Sequence, residues 1–358
     1  MPREKSYVFA PPPVLKTDVF VCVSIIVPCY NEEVSIPAFF SQMLNIIEQT
    51  KPKLAKVFKP KDWSSCHTQG YFYELIFVND GSKDKTLQAL QNIQLHNQSS
   101  DYIIKIINFS RNFGKESAII AGLEHASGEG VILLDADLQD PPSLIPQMLN
   151  IWLDSQREIK VIYAKRTNRM GENKIRAFFS EIFYKLSNFV SEVKIESGVR
   201  DFRLMDRVVA SALLSMPEYH RFSKAMFEWV GFKRQCLEYE YIPHFKAASS
   251  WNFWKLFKYG IEGIISFSTL PLRIAFVLGL IISTLSVVYG SIIVVKTLLY
   301  GNPVAGYPSL IVVISFIGGI ELIILGVIGE YIARIYEQVK MRPTYILEQP
   351  TDTKDSKP

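Results

Sequence analysis

The chain has 358 residues, 48% of them hydrophobic, a mean hydropathy of +0.13 and a net charge of +4. That length accommodates one large domain and an extension, while so small a charge, without zinc-finger or basic-zipper spacing, argues against a nucleic-acid partner. Four scattered cysteines without CxxC, and five histidines without HxxxH, argue against a structural zinc site and for reduced packing thiols.

Residues 1–20 read as an extended N-terminal arm; MPREKSYVFAPPPVLK lacks the apolar core of a signal peptide, and its Pro run argues against a helix. Residues 21–250 read as a cytoplasmic globular domain. Strand-like runs at 23–28, 73–79, 103–108, 131–135 and 161–165 alternate with helical patterns near 34–48, 84–96, 115–126 and 143–153. Such alternation predicts an α/β fold with a doubly wound, mostly parallel sheet and helices on both faces. Residues 49–70, rich in Lys and Pro, read as a surface insertion. Residues 173–190 carry apolar side chains at helical spacing. Residues 252–268 repeat the pattern with interspersed Lys, and the segment 251–271 reads as a helix lying in the membrane interface.

Two stretches follow, Ile274–Val295, uncharged, and Ser309–Ile328, broken only by Glu321, giving spans at about 274–295 and 309–330. Each is long enough to cross a bilayer as a helix, so 272–333 is expected to form a two-helix transmembrane hairpin. Lys255, Lys258 and Arg273 precede it, and Arg334, Lys340 and Arg342 follow. By the positive-inside rule both termini are then cytoplasmic, with 334–358 as a tail.

Several segments carry chemistry. VILLDADLQDPP, residues 131–142, ends an apolar run in Asp135-Ala136-Asp137. On a strand, residues i and i+2 project to one side, so the two carboxylates are expected to point together at a strand end, where open α/β sheets bind ligands. Hard oxygens there suit Mg²⁺ or Mn²⁺ bridged to substrate phosphate. In SIIVPCYNEE, Tyr30, Asn31 and Glu32 sit where a nucleoside base is held, or where a helix simply begins. In IFVNDGSKDKT, Asp80 is a base or ribose acceptor, or a turn residue beside Gly81. GxGxxG is absent, which removes the main support for a dinucleotide fold. In FSRNFGKESA, Lys115 opens a helix and reads as an anion site or an exposed first-turn cation. In SGVRDFRLMDR, Asp201 and Arg203 alternate about Phe202. Arg221 follows in an aromatic setting that favours a paired or ligand-bound role over a surface ion pair.

In this order, ahead of two apolar spans, the segments resemble the inverting glycosyltransferases of family 2. The likeness is greatest to the polyprenyl-phosphate glycosyltransferases: bactoprenol glucosyltransferases and, more distantly, dolichol-phosphate mannose synthases. It runs from about residue 22 to about 340, and its most specific pieces are NFSRNFGKESAIIAGLEHASGEGVILLDADLQDPP, DFRLMDR and IISFSTLPLR. The resemblance implies a GT-A type fold and a metal-dependent hexosyltransferase of the membrane, acting on a nucleotide sugar donor, expected to be UDP-glucose, and a polyprenyl phosphate acceptor, expected to be undecaprenyl phosphate. By the same resemblance Pro28, Tyr30, Glu32 and Asp80 bind the nucleoside. Asp135 and Asp137 hold Mg²⁺ or Mn²⁺ on the diphosphate, with Gln139 and Lys115 close by. Arg166, Arg176 and Ser180 match positions near the acceptor phosphate, and Asp201 stands where the family places its base; Arg203, beside Asp201, is expected to join the acceptor-phosphate residues. A homo-oligomer built through the membrane region is also expected, with Gly318-Gly319 permitting close helix packing.

The sequence departs from the family pattern at Asn79, where an Asp is common, and at Arg200, where a small residue is usual. It departs again in HFKAASSW, where His244 and Ser250 stand near a usual Arg and Lys, with Lys246 nearby. Two other readings compete. A processive polysaccharide synthase would carry Gln-x-x-Arg-Trp and more spans, and the sequence has neither. A membrane-tethered, non-catalytic sugar-nucleotide sensor or assembly factor accommodates the departures but leaves the intact Asp135-Asp137 pair without a purpose.

Overall fold

The computed structural model describes residues 19–58, 69–167, 198–219, 221, 223–240, 270–300 and 306–348. Arg176, Ser180, His244, Ser250 and the segment 252–268 lie outside them.

The described residues form two compact units, one holding the sheet, its helices and residues 343–348, the other holding two long helices. In the first unit the chain runs β1 (Val19–Cys29), α1 (Ser35–Val57), β2 (Gln69–Asn79), α2 (Thr86–His96), β3 (Tyr102–Asn108), α3 (Lys115–His125) and β4 (Gly130–Leu133). It continues through α4 (Ile145–Asp154), β5 (Val161–Arg166), β6 (Val199–Asp206), α5 (Arg207–Leu214), α6 (Ser223–Trp229) and β7 (Arg234–Tyr239). The sheet order is β3-β2-β1-β4-β6-β5-β7. β6 runs antiparallel to both its neighbours, and every other pairing is parallel. The sheet is thus mostly parallel, as the alternating pattern predicts.

The central strands read as unbroken apolar runs because both their faces are covered. Val23, Ile25, Ile26 and Val27 of β1 are fully buried, as are Leu75, Ile76, Phe77 and Val78 of β2. Phe39 and Met43 of α1 and Trp152 of α4 are buried in the same core. Loops after β1 and β4, adjacent parallel strands, diverge at the switch point of the strand order, where such sheets open a crevice.

Two expectations change. Residues 49–57 are helical, the last turns of α1, and not part of a surface loop. The helix carries Pro52 in its interior, and buried Thr50 and Leu54 hold that turn to the core. Strand β4 ends at Leu133, so Asp135 and Asp137 follow the strand instead of alternating along it.

The second unit contains α7 (Leu270–Tyr300) and α8 (Tyr307–Val339). Leu280, Leu285, Leu298, Leu322 and Ile323 are among many large apolar side chains exposed on them. Among the described residues, Phe316–Val339 is one helical stretch long and apolar enough to cross a membrane.

Candidate active site

A cleft of about 360 Å³ opens at the carboxyl ends of the parallel strands, lined by residues from the loops after β1, β2, β3 and β4. Pro28, Tyr30, Glu32, Asp80, Lys115, Asp135 and Asp137 all line it. Residues widely separated in sequence, each singled out from its own motif, therefore meet in one place.

Interlocking turns build the first wall. The Glu32 amide donates to Thr86 Oγ1 at 2.8 Å, the Asn31 amide to Ser82 Oγ at 3.0 Å, and the Lys83 amide back to Asn31 Oδ1 at 2.9 Å. Asn31 holds a left-handed backbone, φ 58°, which Asn tolerates better than most residues. Tyr30 is left 43% exposed, its ring open to stacking. Burial pushes the Glu32 carboxyl above its ordinary value; its bond from the Ser35 hydroxyl opposes that, and Asp137, Asp135 and Asp84 add to it.

The second wall rests on Asp80. Its carboxylate accepts the Phe113 amide at 2.6 Å and the Gly114 amide at 3.0 Å. Gly81 has φ +61°, and a Cβ there would lie 2.3 Å from the Arg111 carbonyl carbon, so only glycine lets the two loops touch. Asn79, where an Asp is usual, donates from Nδ2 to Asn108 Oδ1 at 2.6 Å, a bond a carboxylate could not give. Asn112 and Gly114 also line the cleft. The sequence marked their segment but only Lys115 within it.

Acidic groups dominate the floor. Antiparallel pairing sets Leu133 of β4 opposite Arg203 of β6, and Asp135 and Asp201 lie two residues beyond that last pair. Lys115, first residue of α3, bridges them, donating to Asp135 Oδ2 at 2.7 Å and to Asp201 Oδ2 at 2.6 Å. One ammonium shared by two carboxylates makes a coupled unit. Burial pushes Asp135 up, Lys115 opposes it, and Asp201 and Asp137 add to it; the net shift is upward. Burial also pushes Asp201 up, but Lys115, Lys224 and Arg203 override it, and its carboxyl is held well below the usual range. Lys224, on α6, was not visible as a site residue because its proximity is set by packing and by no local motif.

The turn after Asp137 is strained. Leu138 has φ 57°, an uncommon conformation for a bulky residue. Asp137 Oδ1 accepts the Gln139 amide at 3.0 Å. Arg200 clasps the turn from β6, donating to Gln139 Oε1 at 3.0 Å and Asp140 Oδ1 at 3.1 Å, and the Tyr239 hydroxyl bonds the same buried Asp140. The unusual Arg200 is thus the clamp on the acidic turn, and it engages Gln139 directly.

Arg203 and Arg221 take supporting roles. Arg203 is 2% exposed, its guanidinium lies 3.5 Å from the Phe227 ring centroid, and it donates to the carbonyls of Arg200 and Asp201. Burial lowers its pKa to about 10. Its bonds tie it to the strand carrying Asp201. Arg221 donates to the carbonyls of Met216 and Leu213, completing the end of α5, where a cation is favoured by the helix dipole. Arg166 ends β5, beside the start of β6.

The donor set fits a hard divalent cation. Asp135 and Asp137 face the same cleft amid further carboxylates, and a cationic ammonium already rests on Asp135. Among the described residues no closed cluster of three or more His, Cys, Asp or Glu side chains occurs. Two carboxylates leave coordination positions for phosphate oxygens and water, the arrangement Mg²⁺ favours.

An open, mostly parallel α/β sheet with an acidic turn at its switch point is a setting for ligand binding. Residues 24–214 match the model of glycosyl transferase family 2, and the chain belongs to that family. It is 43% identical over 325 residues to an uncharacterized glycosyltransferase of Synechocystis sp., covering 91% of this chain and 94% of the relative. It is 41% identical over 327 residues to the bactoprenol glucosyl transferase of Shigella phage SfII, covering 91% and 97%. It is 39% identical over 327 residues to a prophage bactoprenol glucosyl transferase homolog of Escherichia coli, covering 91% and 98%.

Proposed function

We propose that this glycosyltransferase moves a hexose, glucose by the names of its relatives, from a nucleoside diphosphate sugar to undecaprenyl phosphate at the cytoplasmic membrane face, with inversion. The observation that carries the proposal is the convergence of Tyr30, Glu32, Asp80, Lys115, Asp135 and Asp137 on one cleft, with Asp201 on the same lysine.

In this reading the donor's base stacks near Tyr30, and Glu32 and Asp80 receive hydrogen bonds from base or ribose. Asp135 and Asp137 would hold Mg²⁺ or Mn²⁺, which supplies positive charge to the departing nucleoside diphosphate. Lys115 offers a second positive charge beside the same carboxylates. Arg200 keeps the acidic turn in place against the strain at Leu138.

The acceptor is a phosphate monoester with a second pKa of about 6, judged by phosphoserine, so it reaches the cleft largely as a nucleophilic anion. A carboxylate held below its ordinary value is a weak base. Asp201 therefore orients the acceptor, or the Lys115 ammonium, more than it removes a proton. Arg166, Arg176 and Ser180 remain the proposed phosphate contacts.

Helices α7 and α8 are proposed to cross the bilayer as a hairpin with both termini cytoplasmic. Their length and exposed apolar surface support this, and Arg334, Lys340 and Arg342 follow the second span while Lys296 stands alone near the turn. Among the described residues, a Cβ at Gly318 or Gly319 would meet nothing within 4 Å, consistent with the proposed packing of a second copy there.

The test is transfer in vitro. Purified protein with Mg²⁺ or Mn²⁺, undecaprenyl phosphate and a panel of radiolabelled nucleotide sugars should move label from UDP-glucose into the organic phase. No label in the lipid from any sugar of the panel would refute the proposal.

A further inference from the structure

The chain does not leave the sheet domain at β7. Residues 345–348, which follow α8 in sequence, pair with the end of β3, the edge strand of the sheet. Leu347 forms an antiparallel bridge with Phe109. The Ser110 amide donates to the Ile346 carbonyl at 3.0 Å, and the Glu348 amide to the Asn108 carbonyl at 2.9 Å. Asn108 Nδ2 donates to Glu348 Oε2 at 2.6 Å. The Tyr345 ring stacks on Phe109 with centroids 4.9 Å apart and planes 16° apart, and its hydroxyl bonds Glu124 in the last turn of α3.

These contacts lie directly behind the cleft wall. Phe109 is 1% exposed and meets Phe113 edge-on at 5.8 Å. The Phe113 and Gly114 amides are those that grip Asp80, and Lys115 begins the helix whose far end Tyr345 holds. A continuous packed path therefore runs from Tyr345 through Phe109 and Phe113 to Asp80.

We infer that residues 345–348 are a strap belonging to the donor site, which holds the 109–114 loop where its amides fix Asp80 and its edge walls the cleft. The inference rests on the proposed reading of that cleft as the nucleotide-sugar site. Tyr345 is a positioning residue: it acts on the donor through the loop.

Hydrogen exchange and kinetics on the full chain test it together. A stacked aromatic pair contributes up to about 1.5 kcal/mol, about tenfold in an equilibrium. Tyr345→Ala should speed exchange of the 110–114 amides by about that factor, leave β1 and β2 amides protected, and raise KM for the nucleotide sugar about tenfold with kcat held within about twofold. Tyr345→Phe, which keeps the stack, should retain the loop's protection. Unchanged loop exchange in Tyr345→Ala overturns the strap, and so does faster exchange spread equally over β1 and β2. Should the wild-type protein take no nucleotide sugar, the donor reading falls while loop exchange still decides whether the strap holds the loop.

Discussion

Asp135 and Asp201 share Lys115 yet shift in opposite directions. In the proposed reading their tasks differ: one carries a metal on the leaving group, the other aligns an acceptor that is already anionic. A true general base is worth about 10²–10⁴ in rate. Asp201→Asn should therefore cost only about tenfold in kcat, as measured in the lipid-extraction assay, and a loss of about a thousandfold would restore the base role. Much of the cleft was legible at this scale because the motifs of Tyr30, Asp80 and Asp135 put a polar residue just past an apolar strand, where the chain turns at the sheet's edge. Arg203 was not legible. Its alternation with Asp201 is real, but its burial against Phe227 of a distant helix left no local trace. Arg200 was visible only as a departure; its role needed the turn at Gln139 and Asp140 to be in place.

Strands β4 and β6 set the floor of the cleft, and their pairing is anchored at the opposite end by Asp206. That carboxylate is fully buried, caps α5 through the Val208 amide at 3.2 Å, and accepts from Arg157 Nε at 2.9 Å and Trp152 Nε1 at 3.1 Å. Burial raises its pKa, but Arg157, the Val208 amide and Lys160 override it and the net shift is downward. A depressed carboxylate stabilises the fold fully above its unfolded value, and that contribution is lost as pH falls through the lowered folded value. Wild-type stability should therefore fall in acid below the ordinary value of 3.8, and Asp206→Asn should flatten that limb. Breaking a buried pair should also cost about 3 kcal/mol at neutral pH, measured by denaturant unfolding of the detergent-solubilised chain. A variant with the stability and acid limb of the wild type would contradict this. Periodicity located these strands because both faces are apolar, and the acidic pair shares the cleft as expected although β4 ends two residues earlier than the pattern predicts. Asp135 and Asp201 meet on Lys115 just beyond the last β4–β6 pair, a non-local fact. α1 outran its expected end because Thr50 and Leu54 pack into the core despite a Lys- and Pro-rich neighbourhood.

At the scale of the whole chain, the proposed pairing of a soluble donor with a lipid acceptor requires a catalytic sheet and an apolar anchor in one polypeptide. The long apolar helices α7 and α8 were legible from composition, because each is built on a nearly uncharged run of sequence. The return of residues 345–348 to β3 was not, because a short strand pairing across most of the chain length leaves no local trace. In isolated membranes the protein should resist alkaline carbonate and high salt and be released by detergent. Recovery in the carbonate supernatant would contradict the two spans.

The central claim is that Asp135 and Asp137 bind the donor's diphosphate through a divalent cation. Isothermal titration of the purified chain with UDP-glucose tests it most directly, with Mn²⁺ and with chelator, in the wild type and in Asp137→Asn. Binding should be strong only with Mn²⁺ and should fall by at least about a hundredfold in Asp137→Asn at unchanged thermal stability. Equal affinity with chelator, or an Asp137→Asn variant that binds as the wild type does, would contradict the account.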